Sequence, residues 1–126
     1  MDRMTWLKRW GPALMIMGLI FAASSIPSDI MPKVENYDVL VKKGGHILGY
    51  ALFGLSLMRG QRQLCWQGYL LVVAGCVLYA FSDEFHQSFV PGRNATLVDV
   101  AIDLTGCLIG LGVFSRIPLL QKIVLR

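Results

Sequence analysis

The sequence predicts an all-α integral membrane protein, a bundle of four transmembrane helices. Three observations lead there. Hydrophobic residues make up 55% of the 126 and charged residues only 16%, whereas a soluble domain carries about a quarter charged. The apolar residues gather into four runs, at residues 10–26, 44–58, 64–81 and 97–114. Basic residues stand singly or in pairs at the edges of those runs, as membrane anchors do. A single domain over residues 1–126 accounts for the length.

At about 1.5 Å per residue the runs cover roughly 22 to 27 Å, a little short of a hydrocarbon core of ~30 Å. Extension into the polar flanks closes the gap, most clearly in the third helix, expected over 64–87. In order, Arg3, Lys8 and Arg9 precede the first run, which ends at Ala22-Ala23-Ser24-Ser25 before Pro27. That layout also fits a secretory signal peptide, a rival reading of this segment. The second run carries Gly45-x-x-x-Gly49 and the fourth Gly106-x-x-x-Gly110, spacings that let membrane helices approach closely. A dimer contact is the other use of the Gly45/Gly49 pair. Pro27, Pro32 and Pro91-Gly92 mark helix ends, and Pro118 follows the last run.

Counting Lys and Arg orients the chain. Arg3, Lys8, Arg9, Arg59, Arg62, Arg116, Lys122 and Arg126 place eight on one side; Lys33, Lys42, Lys43 and Arg93 place four on the other. The positive-inside rule then puts both termini in the cytoplasm. Net charge is +4, yet no basic stripe of the kind that binds phosphodiester backbones is present, so nucleic acid is excluded as a partner. Cys65, Cys76 and Cys107 are odd in number and lack C-x-x-C spacing, and read as small packing residues. Trp6, Trp10 and Trp66 read as interfacial anchors on the cytoplasmic side.

With helices alternating in direction, the end of the first, the start of the second, the end of the third and the start of the fourth share one membrane face. The polar residues sit at those four places: Ser24 and Ser25; Lys43 and His46; Asp83, Glu84, His86 and Gln87; Asp99 and Asp103. Residues three or four apart share a helix face, which aligns Lys43, His46 and Tyr50, then Tyr79 and Asp83, then Asp99 and Asp103. Asp103 lies about six residues, or roughly 9 Å, inside its span. A carboxylate there requires a partner, hydration or a proton, and Lys43, His46, His86 and Arg93 are the cationic candidates.

The block Asp83-Glu84-Phe85-His86-Gln87-Ser88-Phe89-Val90-Pro91-Gly92-Arg93, with Lys43-x-x-His46-x-x-x-Tyr50 before it and Asp99-x-x-x-Asp103-x-x-Gly106 after it, resembles the VanZ-like family of small bacterial membrane proteins. Ser24-Ser25-x-Pro27 is similar to the family's first-span ending. The resemblance covers about residues 24–110. It implies an inner-membrane protein of the bacterial envelope, linked to tolerance of the glycopeptide teicoplanin.

Two functional readings follow. In one, the chain is an enzyme that hydrolyses or transfers a group on a lipid-linked or envelope substrate. His46, Asp83, Glu84, His86 and Asp99 supply acid, base and orienting carboxylate, and Lys43, Tyr50, Gln87, Arg93 and Asp103 hold the ligand. In the other, the same outward-facing residues bind a lipid headgroup, a glycopeptide or a metal without turnover, or serve a partner enzyme. His46, Asp83, His86 and Asp99 suit Zn²⁺ or Mn²⁺ by type, though no strong spacing signature assigns a metal. No P-loop, H-E-x-x-H or G-x-S-x-G motif is present. Ser24, Ser25 and Ser88 read as capping or packing residues, Tyr50 and Tyr79 as hydrogen-bonded packing residues, and Asn94-Ala95-Thr96 as a chance sequon.

Overall fold

The computed structural model describes residues 2–31 and 38–126. Pro32 and Lys33, which the sequence reading used as a helix stop and as a charge of the first loop, lie outside the described residues. The chain is all-α: α1 (Arg3–Ser24), α2 (Asp38–Gln61), α3 (Trp66–Gln87), α4 (Leu97–Arg116) and a short α5 (Pro118–Val124), with no strand among the described residues. Each long helix reaches past its apolar run into polar flanks. The gain is largest in α2, which starts at Asp38 rather than near Gly44, and α3 ends at Gln87 as its pattern predicts.

α2 and α4 lie side by side at the centre, and glycine explains how closely. A Cβ on Gly106 would strike the backbone of Ile47, and one on Gly110 would lie 2.7 Å from the Ala51 carbonyl oxygen. Gly106-x-x-x-Gly110 is therefore a packing seam, of α4 on α2. Gly45 touches nothing within 4 Å, and Gly49 faces the Ile20 side chain of α1. The buried core runs along the axis: Tyr50, Phe53 and Met58 from α2, Val72, Cys76 and Ala80 from α3, Cys107, Leu111 and Phe114 from α4. Cys76 and Cys107 are free and buried, in keeping with packing; Cys65 is exposed at the start of α3.

Arginines tie one end together. Pro12 sits inside α1 and has no N–H to give the carbonyl one turn earlier. That carbonyl, of Lys8, accepts instead from Arg59 Nε at 3.2 Å, while Arg59 Nη1 donates to Val124 O at 3.0 Å. Arg9 donates through Nε and Nη2 to Gly60 O, at 3.1 and 2.6 Å, closing the C-terminus of α2. The start of α1, the end of α2 and α5 thus meet at this end. α5 was not legible in the sequence because it is short and continues almost directly from α4; Gln121 Nε2 ties it to the carbonyls of Phe114 and Ser115.

Two helices, α3 and α4, are long and apolar enough to cross a membrane by length and composition. α1 and α2 match them in length at 22 and 24 residues. They are less apolar because Lys8 and Arg9 fall in the first turns of α1 and Asp38, Lys42, Lys43 and His46 in the first half of α2. Large apolar side chains nevertheless face outward on all four, among them Leu14 and Leu19, Leu48 and Leu52, Leu71 and Leu78, Leu108 and Ile109.

Candidate functional site

The opposite end gathers the polar residues. α1 and α3 deliver their C-terminal turns and α2 and α4 their N-terminal turns, so side chains from all four long helices meet. Asp103, fully buried in the second turn of α4, accepts at Oδ1 from His46 Nδ1 across 2.9 Å. Of the four cationic candidates, His46 is the partner. Asp83, also buried, accepts at Oδ2 from Ser24 Oγ at 2.8 Å and from Gln87 Nε2 at 2.9 Å. Gln87 Nε2 also reaches Ser24 Oγ at 3.2 Å, closing a small ring between α1 and α3. Ser24 is more than a cap: it is 1% exposed and bonds to two site residues.

Glu84 holds the start of α4. Its Oε2 accepts from the backbone N–H of Thr96, the N-cap residue, at 3.0 Å. Thr96 Oγ1 donates to Asp99 Oδ2 at 2.6 Å and accepts from the Asp99 N–H at 3.2 Å, a capping arrangement that occupies Asp99 in the first turn of α4. The sequon residue Thr96 is thus a helix cap. His86 turns toward α1, with Nε2 2.9 Å from Ser25 Oγ and its ring stacked on Phe21 at 4.3 Å.

Val90-Pro91-Gly92-Arg93 forms a tight turn. Arg93 N donates to Val90 O at 3.1 Å, and Gly92 has φ +73°, the left-handed value that a type II turn places after proline and that favours glycine. Ser28 Oγ docks on Gly92 O at 2.6 Å. Arg93 then reaches back to the end of α1, donating through Nε to Ile26 O at 3.2 Å and through Nη2 to Ala23 O at 3.0 Å. The guanidinium expected to grip an anion spends Nε and Nη2 on carbonyls at a helix end, and its Nη1 reaches Gln87 Oε1 at 3.5 Å.

Two cavities open beside this network. One, of about 250 Å³, has apolar walls from Ile20, Met31 and Val41 and a polar floor from Ser24, Lys42, His46, Tyr50 and Arg93. The other, of about 180 Å³, is lined by Lys42, Lys43, His46, Glu84, Gln87, Arg93 and Asp99 among others. Lys42, His46 and Arg93 belong to both and form the partition between them. His46 and Asp99 therefore share a cavity wall; His86 lines neither. Lys42 was missed as a site residue, although its position one turn before His46 could have found it. It pairs with Asp38 at 3.6 Å. The apolar wall residues carry no sequence signal at all.

Tyr79 Oη donates to Met17 O at 2.6 Å, a packing role. Tyr50 differs: its hydroxyl is buried without a partner, as are Asp83 Oδ1, Glu84 Oε1 and Asp103 Oδ2.

The sequence model of the VanZ/LLP1 family matches residues 9–121, nearly the whole chain and every residue of this network. The chain belongs to the VanZ/LLP1 family. The block that carries the VanZ resemblance has a physical reading here: Asp83 and Gln87 bind α1, Glu84 caps α4, and Pro91-Gly92-Arg93 clamps the end of α1. No curated protein and no solved structure matches this VanZ-family chain.

Proposed function

We propose that this VanZ-family protein spans the bacterial inner membrane four times, with both termini in the cytoplasm, and receives the anionic headgroup of an amphiphile in its outward-facing polar chamber. The observation that carries the reading is the shared partition of Lys42, His46 and Arg93. It joins an apolar cavity between α1 and α2 to a basic and acidic one, so a molecule with a hydrocarbon chain and a charged head fits across it. Outward apolar side chains on α1 and α2 as well as on α3 and α4 support four spans, with the charged turns at the interfaces. A lipid-linked phosphate of the envelope has the required chemistry: apolar tail, anionic head, cationic partners in Lys42 and Lys43, and a hydrogen-bond donor in Tyr50. A glycopeptide antibiotic, or the lipid-linked precursor it binds, is the envelope ligand that would connect this site to teicoplanin tolerance.

A second reading, catalysis, is favoured by the Asp103–His46 pair, in which a buried carboxylate orients an imidazole that reaches both cavities. Hydrolysis or group transfer on the bound head is the reaction class, with Asp83, Glu84, His86 and Asp99 as supporting acids and bases. One assay separates the readings. Purified protein is incubated with polyprenyl phosphate and diphosphate, and both retention and phosphate release are measured. Release with turnover that is lost in His46→Ala identifies an enzyme. Retention without release, weakened about tenfold or more in Lys42→Ala/Lys43→Ala, about 1.4 kcal/mol of binding, identifies a binder. Neither retention nor release would remove the amphiphile reading.

A further inference from the structure

His46 on α2, Asp83 on α3 and Asp103 on α4 each offer one ligand atom, and these atoms all lie within 4.8 Å of one another. They make up the one such His/Cys/Asp/Glu group among the described residues. We infer that His46, Asp83 and Asp103 form a binding site for one divalent transition-metal cation of the Zn²⁺ or Mn²⁺ class. This goes beyond the amphiphile reading and does not depend on it.

Four observations support the site. First, three points no more than 4.8 Å apart have a common centre at most about 2.8 Å from each, so shifts of at most about 0.8 Å per ligand reach the ~2.0–2.2 Å of zinc–nitrogen and zinc–oxygen bonds. Second, Asp83 Oδ1 and Asp103 Oδ2 have no hydrogen-bond partner although their residues are 2% and 0% exposed. A buried acceptor left open is costly, and here two lie in one cluster. The fully buried Tyr50 hydroxyl, one turn after His46 and within electrostatic reach of both carboxylates, is a third open oxygen.

Third, the charges do not balance. Two buried carboxylates face one imidazole, and among the described residues no Lys or Arg forms an ion pair with either of them. A divalent cation supplies the missing positive charge where hydrocarbon surrounds the helices. Fourth, the donor set mixes one imidazole nitrogen from α2 with carboxylate oxygens from α3 and α4, an arrangement that helix assemblies use for transition metals. An imidazole in the set selects against Mg²⁺ and Ca²⁺, which prefer oxygen alone. The side chain of His46 is 24% exposed and lines both cavities, which gives the ion a way in. His86 and Asp99 stand outside the cluster, whose converging ligand atoms come from His46, Asp83 and Asp103.

The test uses the full chain purified in detergent, freed of metal with a chelator, with no lipid-linked phosphate present. Mn²⁺ is titrated while the electron paramagnetic resonance signal of the free ion is followed, and Zn²⁺ is titrated against a chromophoric chelator. One ion per chain is expected, with Mg²⁺ and Ca²⁺ weaker by about tenfold or more. Asp83→Asn, Asp103→Asn and His46→Ala should each weaken binding by about 10-fold to 100-fold or more, while His86→Ala and Asp99→Asn leave it within about twofold of wild type. Circular dichroism and gel filtration establish that each variant is folded, and the wild-type result stands without them. No saturable binding of either ion by wild type at about 1 mM (a Kd that corresponds to only ~4 kcal/mol) overturns the site. Equal loss in His86→Ala or Asp99→Asn does so too. Because no lipid enters the measurement, its failure leaves the amphiphile reading intact, and failure of the phosphate assay leaves the metal site intact.

Discussion

Arg93 shows how a side chain's chemistry and its employment differ. A guanidinium at the mouth of a cleft has the geometry to grip a phosphate. Here Nε and Nη2 are committed to Ile26 O, just past the end of α1, and to Ala23 O, which also accepts from the Ile26 N–H at 3.3 Å. Lysine keeps the charge but cannot make both bonds. Arg93→Lys should therefore lower stability by about 1–2 kcal/mol, read from chemical unfolding in detergent. Unchanged stability in that variant would show that the clamp contributes nothing. Ser24 makes the same point in reverse. A hydroxyl at a helix end looks like a cap, yet it is buried and joins Asp83 to Gln87.

Among the elements, the α2–α4 pair sets the site. The Gly106 seam brings the two helices close enough for His46 to reach Asp103, one turn away from Gly106 on the same face of α4. A methyl group at Gly106 has nowhere to go but the Ile47 backbone. Gly106→Ala is expected to cost about 1–3 kcal/mol and to separate the His46–Asp103 pair. Gly18, in α1, has nothing within 4 Å of an added Cβ, so Gly18→Ala should be neutral or stabilise by up to about 1 kcal/mol. Thermal unfolding of the two variants side by side checks the contrast. Equal effects would mean that the glycines act through helix propensity and not through the seam.

For the whole molecule, the two ends divide the labour. One is laced by Arg9 and Arg59 onto backbone carbonyls; the other holds the chamber. The proposed topology gives these ends opposite sides of the membrane, and the chain carries its own reporter. Cys65 is exposed at the laced end, whereas Cys76 and Cys107 are buried. In intact cells a membrane-impermeant maleimide should leave Cys65 unmodified and should modify Asn94→Cys introduced in a Cys65→Ser background. Labelling of Cys65 from outside, or protection of the cysteine at 94, would reverse the orientation.

Local pattern alone determined the four long helices though not α5, the gathering of polar residues at one set of helix ends, and the family. Apolar runs, glycine spacing and a contiguous motif are all properties of neighbouring residues, which is why α3 could be read through to Gln87. What only the tertiary structure decided is which polar groups meet. His46, Asp83 and Asp103 converge, His86 leans on Phe21 and Glu84 caps α4, although all five lie toward the same end of the bundle, and Arg93, in the turn after α3, closes α1. Side chains one or two residues apart diverge by 100° or more around a helix, so small rotations set by glycine and aromatic packing choose each partner. Those rotations come from contacts between helices, and no single helix encodes them.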